Sequence, residues 1–154
     1  MNRYRNLAVF AKRIFNTNFR NLSLPYKLLF VVTKECHSKC VNCNIWKIKP
    51  QNELSLDEIN EFAKNSNFLS WIDFTGGEPT DRGDFAEIVR IFHKNCKNLL
   101  LVHFPTNGLK SEKIAAVSKE IATLSGPQVI VTVSIDGPPE VNDRLRGIPR
   151  DFDR

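Results

Sequence analysis

No apolar run in this 154-residue chain approaches the roughly 20 residues that cross a bilayer, so a membrane-spanning helix is not expected. The N-terminus has neither the apolar core nor the small-residue cleavage site of a secretory leader. There is no low-complexity tract, and no internal repeat beyond an alternation of strand and helix patterns. The expected location is cytoplasmic, without membrane association. Cysteine is scarce: four in all, three of them within eight positions. In a reducing cytosol such a cluster points to a metal or redox site before a disulfide. There is also no long run of one charge. Lys and Arg total 22 against 17 acids, a net charge of +5, with the basic residues concentrated towards the two ends. No aromatic stacking platform or recognisable nucleic-acid fold accompanies them, so nucleic acid is not an expected partner.

What is present is enough for one domain. Residues 3 to 22 place Leu7, Phe10, Ala11, Ile14, Phe15, Phe19 and Leu22 at helical spacing, with Arg3, Arg5, Lys12, Arg13 and Arg20 between them. This basic amphipathic helix, closed off by Pro25, is expected to pack on the protein's own core. Four short apolar, β-branched runs follow: KLLFVVT (27 to 33), SWIDFT (70 to 75), LLLVHFP (99 to 105) and VIVTVSI (129 to 135). Each is continuous, not alternating, as buried parallel strands tend to be. Three helical patterns separate them. SLDEINEFAKN opens with Ser55 and Glu58 at capping-box spacing, DFAEIVRIFHKN opens with Asp84 and Glu87, and SEKIAAVSKEIATL carries Ile114, Val117, Ile121 and Leu124. A β-α-β-α-β-α-β order requires crossovers and therefore an α/β fold with a parallel sheet.

Ligands of parallel α/β folds gather at the carboxyl ends of the strands. The segments there read KECHSKCVNCNIW, GGEPT, TNG and DGPPEVNDRLRG. Cys36, Cys40 and Cys43, at C-x3-C-x2-C spacing, let one loop wrap a compact centre with thiolate ligands. Zinc is the alternative, but a structural zinc site wants a fourth ligand. His37, His93, His103 and Cys96 all lie off zinc-finger spacing. An iron-sulfur cube on three cysteines leaves one iron without a protein ligand, free to bind a substrate or cofactor.

The cysteine motif after the first strand, Gly76-Gly77-Glu78-Pro79 after the second, Thr106-Asn107-Gly108 after the third and Ser134-Ile135-Asp136-Gly137 on the fourth together resemble the radical S-adenosylmethionine enzymes. The resemblance runs from about residue 27 to the end. It implies a [4Fe-4S] cluster on Cys36, Cys40 and Cys43, with S-adenosylmethionine chelating the open iron. It implies cofactor contacts from Gly76, Gly77, Glu78, Pro79, Asn107, Ser134 and Asp136. The activity implied is one-electron cleavage of S-adenosylmethionine to a 5'-deoxyadenosyl radical that takes hydrogen from a substrate, driven by an external electron donor. No side chain is expected to act as a general acid or base. Arg144 and Arg146 are candidates to pair with a carboxylate of the cofactor or substrate. The alternative is a catalytically inactive chain that keeps a metal site as a binding module.

The chain departs from the family in two ways. Asn42 stands where the family often has an aromatic residue before its third cysteine, and Trp46 is the candidate to cover the cluster instead. The family's core is usually a six-stranded partial barrel, whereas only four strands are legible here. The expected architecture is a partial parallel (β/α) barrel of the radical S-adenosylmethionine type, truncated after about four strands. Residues 1-26 form an N-terminal helix and linker, and residues 27-154 an incomplete core. A fourth strand as apolar as VIVTVSI would then be an unpaired edge. That suggests a fragment of a longer enzyme, or a chain whose barrel a partner segment completes.

Overall fold

The computed structural model describes residues 3–153; the side chains of residues 3 to 7, including Arg3, Arg5 and Leu7, lie outside the described part. In chain order the elements are α1 (Arg3–Thr17), β1 (Lys27–Thr33), α2 (Leu56–Lys64), β2 (Trp71–Gly76), α3 (Phe85–Asn95), β3 (Leu101–Thr106), α4 (Ser111–Ala122), β4 (Gln128–Val133) and α5 (Pro139–Arg146). Short 3-10 turns occupy Ile45–Lys47 and Pro79–Asp81. The four strands form one parallel sheet in the order β1-β2-β3-β4. Chain order and spatial order coincide, so crossovers of one hand put every connecting helix on the same face.

That face is the core. Phe30, Val32, Ile72, Phe74, Val102 and Phe104 alternate along β1, β2 and β3 and meet Ile59 and Ala63 of α2, Phe85, Ile88, Val89 and Phe92 of α3, and Ile121 of α4. Phe30, Phe74, Phe85, Phe92 and Phe104 pack edge to face with centroids 5.1 to 6.1 Å apart. The quadrupoles of aromatic rings favour that geometry, and each buried ring contributes about 2–3 kcal/mol by area alone.

The opposite face corrects the expectation of strands buried on both sides. Leu29 is 62% exposed, Val31 53% and Ile130 41%. Apolar side chains of these runs therefore also stand on the face away from the helices, which the described residues leave open. β4 pairs with β3 on one side, and its other edge is unpaired among the described residues.

Local signals set the element ends with mixed success. Ser55 caps α2 as expected: its hydroxyl accepts from Glu58 N at 3.3 Å while Glu58 Oε2 accepts from Ser55 N at 2.8 Å. Asp84 does not cap α3 through its side chain, because its carboxylate is taken by Arg82 Nε at 2.7 Å. Helix α1 ends at Thr17, not near residue 22. It lies at the N-terminal end of the sheet, with Phe10 edge-on to Trp71 and Tyr26 and the Arg13 guanidinium bonded to the Phe68 carbonyl and the Ser70 hydroxyl. Helix α5 begins on Pro139, where a missing N–H costs nothing. Among the described residues no helix is long and apolar enough to cross a membrane.

Candidate metal and cofactor site

All four strand-end motifs lie at the carboxyl end of the sheet, and hydrogen bonds join them into one surface. Two glycines make the first junction. Gly77 N donates to Thr33 O at 2.8 Å, and Glu78 N donates to Glu35 O at 2.7 Å, so the turn after β2 lies against the start of the cysteine loop. A side chain has no room there: a Cβ on Gly77 would stand 1.9 Å from the Glu35 carbonyl oxygen, and one on Gly76, at φ +140°, 2.1 Å from that of Thr33. Pro79 is buried and opens the short turn that follows.

Glu78 makes the second junction. It is 3% exposed, and both carboxylate oxygens are engaged. Oε1 accepts from the Thr80 hydroxyl at 2.6 Å and from Thr80 N at 3.3 Å, while Oε2 accepts from Asn107 N at 2.7 Å. The carboxylate therefore holds the TNG turn against the GGEP turn. Asn107 in turn accepts from Leu109 N at 2.9 Å and directs Nδ2 to Cys36 Sγ at 3.9 Å. Ser134 N donates to Thr106 O at 3.0 Å, which brings the end of β4 alongside.

Contacts that carry no sequence signature fasten the cysteine loop from outside. His37 Nδ1 lies 2.6 Å from Asp81 Oδ2, and Lys110 Nζ donates to Asp81 Oδ1 at 2.7 Å. The Asp81 side chain is 2% exposed. Burial alone would raise its carboxyl, but hydrogen bonds and charge from Lys110 and His37 outweigh that and hold it below the ordinary value. The last turn of α5 closes the other side: Lys39 N donates to Arg146 O and Val41 N to Leu145 O, each at 2.9 Å. Arg146 is buried, and its Nε lies 3.0 Å from Asp136 Oδ2. Asp136 thus faces an arginine of its own chain, while Arg144 is exposed. The fourth-strand motif gave no sign that its arginine would turn inward beneath the cysteine loop.

Cys36 and Cys40 are half-buried and Cys43 is exposed. Burial pushes the Cys36 thiol up against hydrogen bonds from the Ser38 backbone and Asn107, with the negative charges of Glu78 and Cys40 adding to the rise. Burial likewise raises Cys40, opposed by Arg146. Thiols in such a setting ionise readily only beside a strong positive centre, which a bound metal supplies. Among the described residues no three His, Cys, Asp or Glu side chains converge tightly enough to hold a metal ion, so the donor assignment rests on residue type, loop and neighbours. The donor set is sulfur only, on one loop beside a glycine cradle, and suits an iron-sulfur cluster better than zinc. Trp46 is half-buried and donates Nε1 to Cys40 O at 3.4 Å, while Asn42 is exposed. Cys96 is buried at the end of α3, with Sγ 3.3 Å from Ser66 O. His93 bonds the Ser125 carbonyl at 2.8 Å.

The family model for the Radical SAM superfamily matches residues 30–154. The chain belongs to the radical S-adenosylmethionine superfamily. Its members work with a [4Fe-4S] cluster and S-adenosylmethionine. Among curated relatives, Fe-coproporphyrin III synthase of Methanosarcina barkeri is 35% identical over 129 residues, covering 79% of this chain and 30% of its own. Mycofactocin maturase MftC of Mycobacterium tuberculosis is 34% identical over 137 residues, 83% of this chain and 32% of its own. GTP 3',8-cyclase of Photorhabdus laumondii is 32% identical over 116 residues, 72% and 34% respectively. The chain thus spans about a third of the length of these relatives. Among solved structures, Streptococcus suis SuiB bound to S-adenosylmethionine superposes with a TM-score of 0.66 at 17% identity, covering 96% of this chain and 34% of SuiB. SuiB bound to its precursor peptide SuiA gives 0.65 at 18% identity, covering 98% and 34%. These superpositions establish the shared fold.

Proposed function

We propose that residues 27-154 form the cluster- and cofactor-binding part of a radical S-adenosylmethionine enzyme, with residues 1-26 as an N-terminal appendage. The observation that carries this reading is the single hydrogen-bonded surface that joins the three-cysteine loop to the GGEP, TNG and SIDG segments. When bound, the cluster and S-adenosylmethionine supply one-electron cleavage of the sulfonium and a 5'-deoxyadenosyl radical that removes hydrogen from a substrate. The protein's part is to bind and to position.

Cys36, Cys40 and Cys43 would hold the cluster. Gly76 and Gly77 let the backbone come close to the methionine end of the cofactor, with Pro79 fixing the turn. Glu78 acts through Asn107 and Thr80, keeping the two turns in one register. Ser134, beside Thr106, is placed for the ribose side, and Asp136 with Arg146 braces the loop against α5. The substrate would lie against the open face of the sheet, reached from the carboxyl end, and the electron would come from an external donor. Strands beyond β4, from the same or another chain, would complete the wall.

The test is anaerobic reconstitution with iron and sulfide, followed by assay for 5'-deoxyadenosine with S-adenosylmethionine and a strong reductant, comparing wild type with Cys40→Ala. Cysteine-dependent cleavage is the expected result. A chain that takes up neither iron nor sulfide overturns the reading. A cluster without cleavage would show that residues 27-154 bind but need the remaining strands to react.

A further inference from the structure

Helix α1 and the segment after it leave large apolar side chains in water. Phe10 turns inward to Trp71 and Tyr26, and the Arg13 guanidinium reaches the Phe68 carbonyl, but no described residue of α1 enters the main core. Phe15 is 62% exposed and Phe19 70%, their rings tilted against each other with centroids 4.8 Å apart. Leu22 and Leu24, in the segment that follows the helix, are exposed as well. The sequence pattern assigns this stripe to the core; the fold engages Phe10 and leaves Phe15, Phe19 and Leu22 outside. Single exposed apolar residues are ordinary on a protein surface, whereas a cluster marks a contact surface.

Cations accompany the cluster. The sequence has no acid before Glu35, and residues 1 to 34 carry seven Lys and Arg, of which Lys12 and Arg20 are exposed in or just beyond α1. Helices α2, α3 and α4 run back towards the same end of the sheet, and their last turns carry Lys64, Lys94 and Lys119. Lys97 follows α3, and its N–H donates to Asn67 Oδ1 at 2.8 Å, one residue from the carbonyl that Arg13 holds. The acids in the later halves of those helices, Glu61 and Glu120, are paired with Lys64 and Arg90. The helix dipole accounts for cations in last turns, but not for phenylalanines exposed beside them.

A nucleic acid would use the cations and leave the aliphatic Leu22 and Leu24 in water. A protein partner would have to match the arrangement residue by residue. An anionic bilayer needs only apolar side chains for its acyl boundary and cations for its headgroups, which is the composition of this segment. We propose that α1 and residues 18 to 24 dock the protein on an anionic lipid bilayer, with Phe15, Phe19, Leu22 and Leu24 entering the interface and Lys12, Arg20 and Lys97 meeting the headgroups. The association is peripheral, since no described helix is long and apolar enough to cross. It turns the N-terminal end of the sheet to the lipid and leaves the cysteine loop, at the other end of the strands, facing water.

The test is flotation of the full 154-residue chain with vesicles of phosphatidylcholine alone and of phosphatidylcholine carrying about 30% phosphatidylglycerol. The chain should partition onto the anionic vesicles at least about tenfold more tightly than onto the neutral ones, and added salt should weaken the binding. Phe15→Ser with Phe19→Ser leaves the charge untouched and should still weaken partition at least about tenfold. Lys12→Glu with Arg20→Glu should weaken it by a similar factor, about tenfold or more. Lys47→Glu with Lys49→Glu changes the net charge equally at the carboxyl end of the sheet, beyond a Debye length of about 10 Å, and should stay within about threefold of wild type. All six side chains are exposed, and circular dichroism should show each fold intact. No flotation at millimolar lipid, equal partition onto neutral and anionic vesicles, or an equal loss in the Lys47 and Lys49 variant would overturn the proposal. So would wild-type binding by the Phe15 and Phe19 variant, which would leave only the attraction of a net charge of +5 for any anion, nucleic acid included. No cluster is needed, so the outcome is independent of iron uptake and of cofactor cleavage.

Discussion

Replacing Gly77 with alanine should damage the site more than its single added methyl group suggests. The new Cβ would lie 1.9 Å from the Glu35 carbonyl oxygen, 2.5 Å from its carbon and 2.9 Å from the Lys34 oxygen. Carbon and carbonyl oxygen approach no closer than about 3.3 Å even in favourable contacts, so the two segments must part by more than about 1 Å. The obstacle is backbone on both sides, so no rotamer change relieves it. Parting them stretches the bonds from Gly77 N to Thr33 O and from Glu78 N to Glu35 O, now 2.8 and 2.7 Å. Strain of about 1–3 kcal/mol and two weakened hydrogen bonds of about 0.5–1.5 kcal/mol each put the loss at about 2–6 kcal/mol. For a chain of this size that lowers Tm by roughly 4–24 °C. The assay is guanidinium unfolding followed by circular dichroism, with iron per chain measured after anaerobic reconstitution. Gly83→Ala is the control, because a Cβ there meets nothing within 4 Å. The reasoning is refuted if Gly77→Ala unfolds within about 0.5 kcal/mol of wild type and takes up a full complement of iron.

Three further outcomes follow from the same geometry. Phe74→Ala, which removes a ring that packs against Phe30, Phe85 and Phe92, should cost about 3–5 kcal/mol in denaturant unfolding, and a loss under 1 kcal/mol would place the core elsewhere. Burial pushes the Cys96 thiol up to about 11, so it should resist iodoacetamide at pH 8 in the native chain and react once the chain is unfolded; rapid native labelling would contradict its burial. Asp73 and Asp81 are both below the ordinary value of 3.8: burial alone would raise them, but His103 and Lys27 in one case, and Lys110 and His37 in the other, outweigh it. The unfolded chain therefore binds these protons more readily, so their contribution is complete at neutral pH and is lost as pH falls through 3.8 towards the lower folded values. Unfolding free energy measured against pH should decline in that window, and Asp81→Asn should flatten the decline; an unchanged slope would mean that the Asp81 contacts contribute nothing.

Much of the architecture was legible because it is written in local periodicity. Four apolar runs separated by helical patterns specify a parallel α/β sheet. The element that caps itself with neighbouring residues, Ser55 with Glu58, was readable to the atom. Asp84 shows the limit of that logic. Its spacing to Glu87 matches the same cap, but Arg82, two residues away, competes for the carboxylate and takes it. The cysteine spacing and the glycine pair were likewise visible, because a loop that wraps a centre and a turn that admits no side chain leave their mark in residue type.

The partnerships of Glu78 with Asn107, of Asp81 with His37 and Lys110, of Arg146 with Asp136, and of Asp73 with His103 join residues 10 to 44 positions apart. No periodicity or spacing encodes such pairs. They exist because the consecutive strand order aligns four loops at one end of the sheet and sets Asp73 of β2 opposite His103 of β3. The sequence by itself determined that four parallel strands form, that three thiols share one loop, and that two glycines must follow the second strand. The tertiary structure alone decided which carboxylates are engaged within the protein, which cations brace the cysteine loop, and which face of a mostly apolar strand is left bare. Those outcomes depend on which groups the fold brings within hydrogen-bonding distance and away from water, and a linear pattern does not carry that distance.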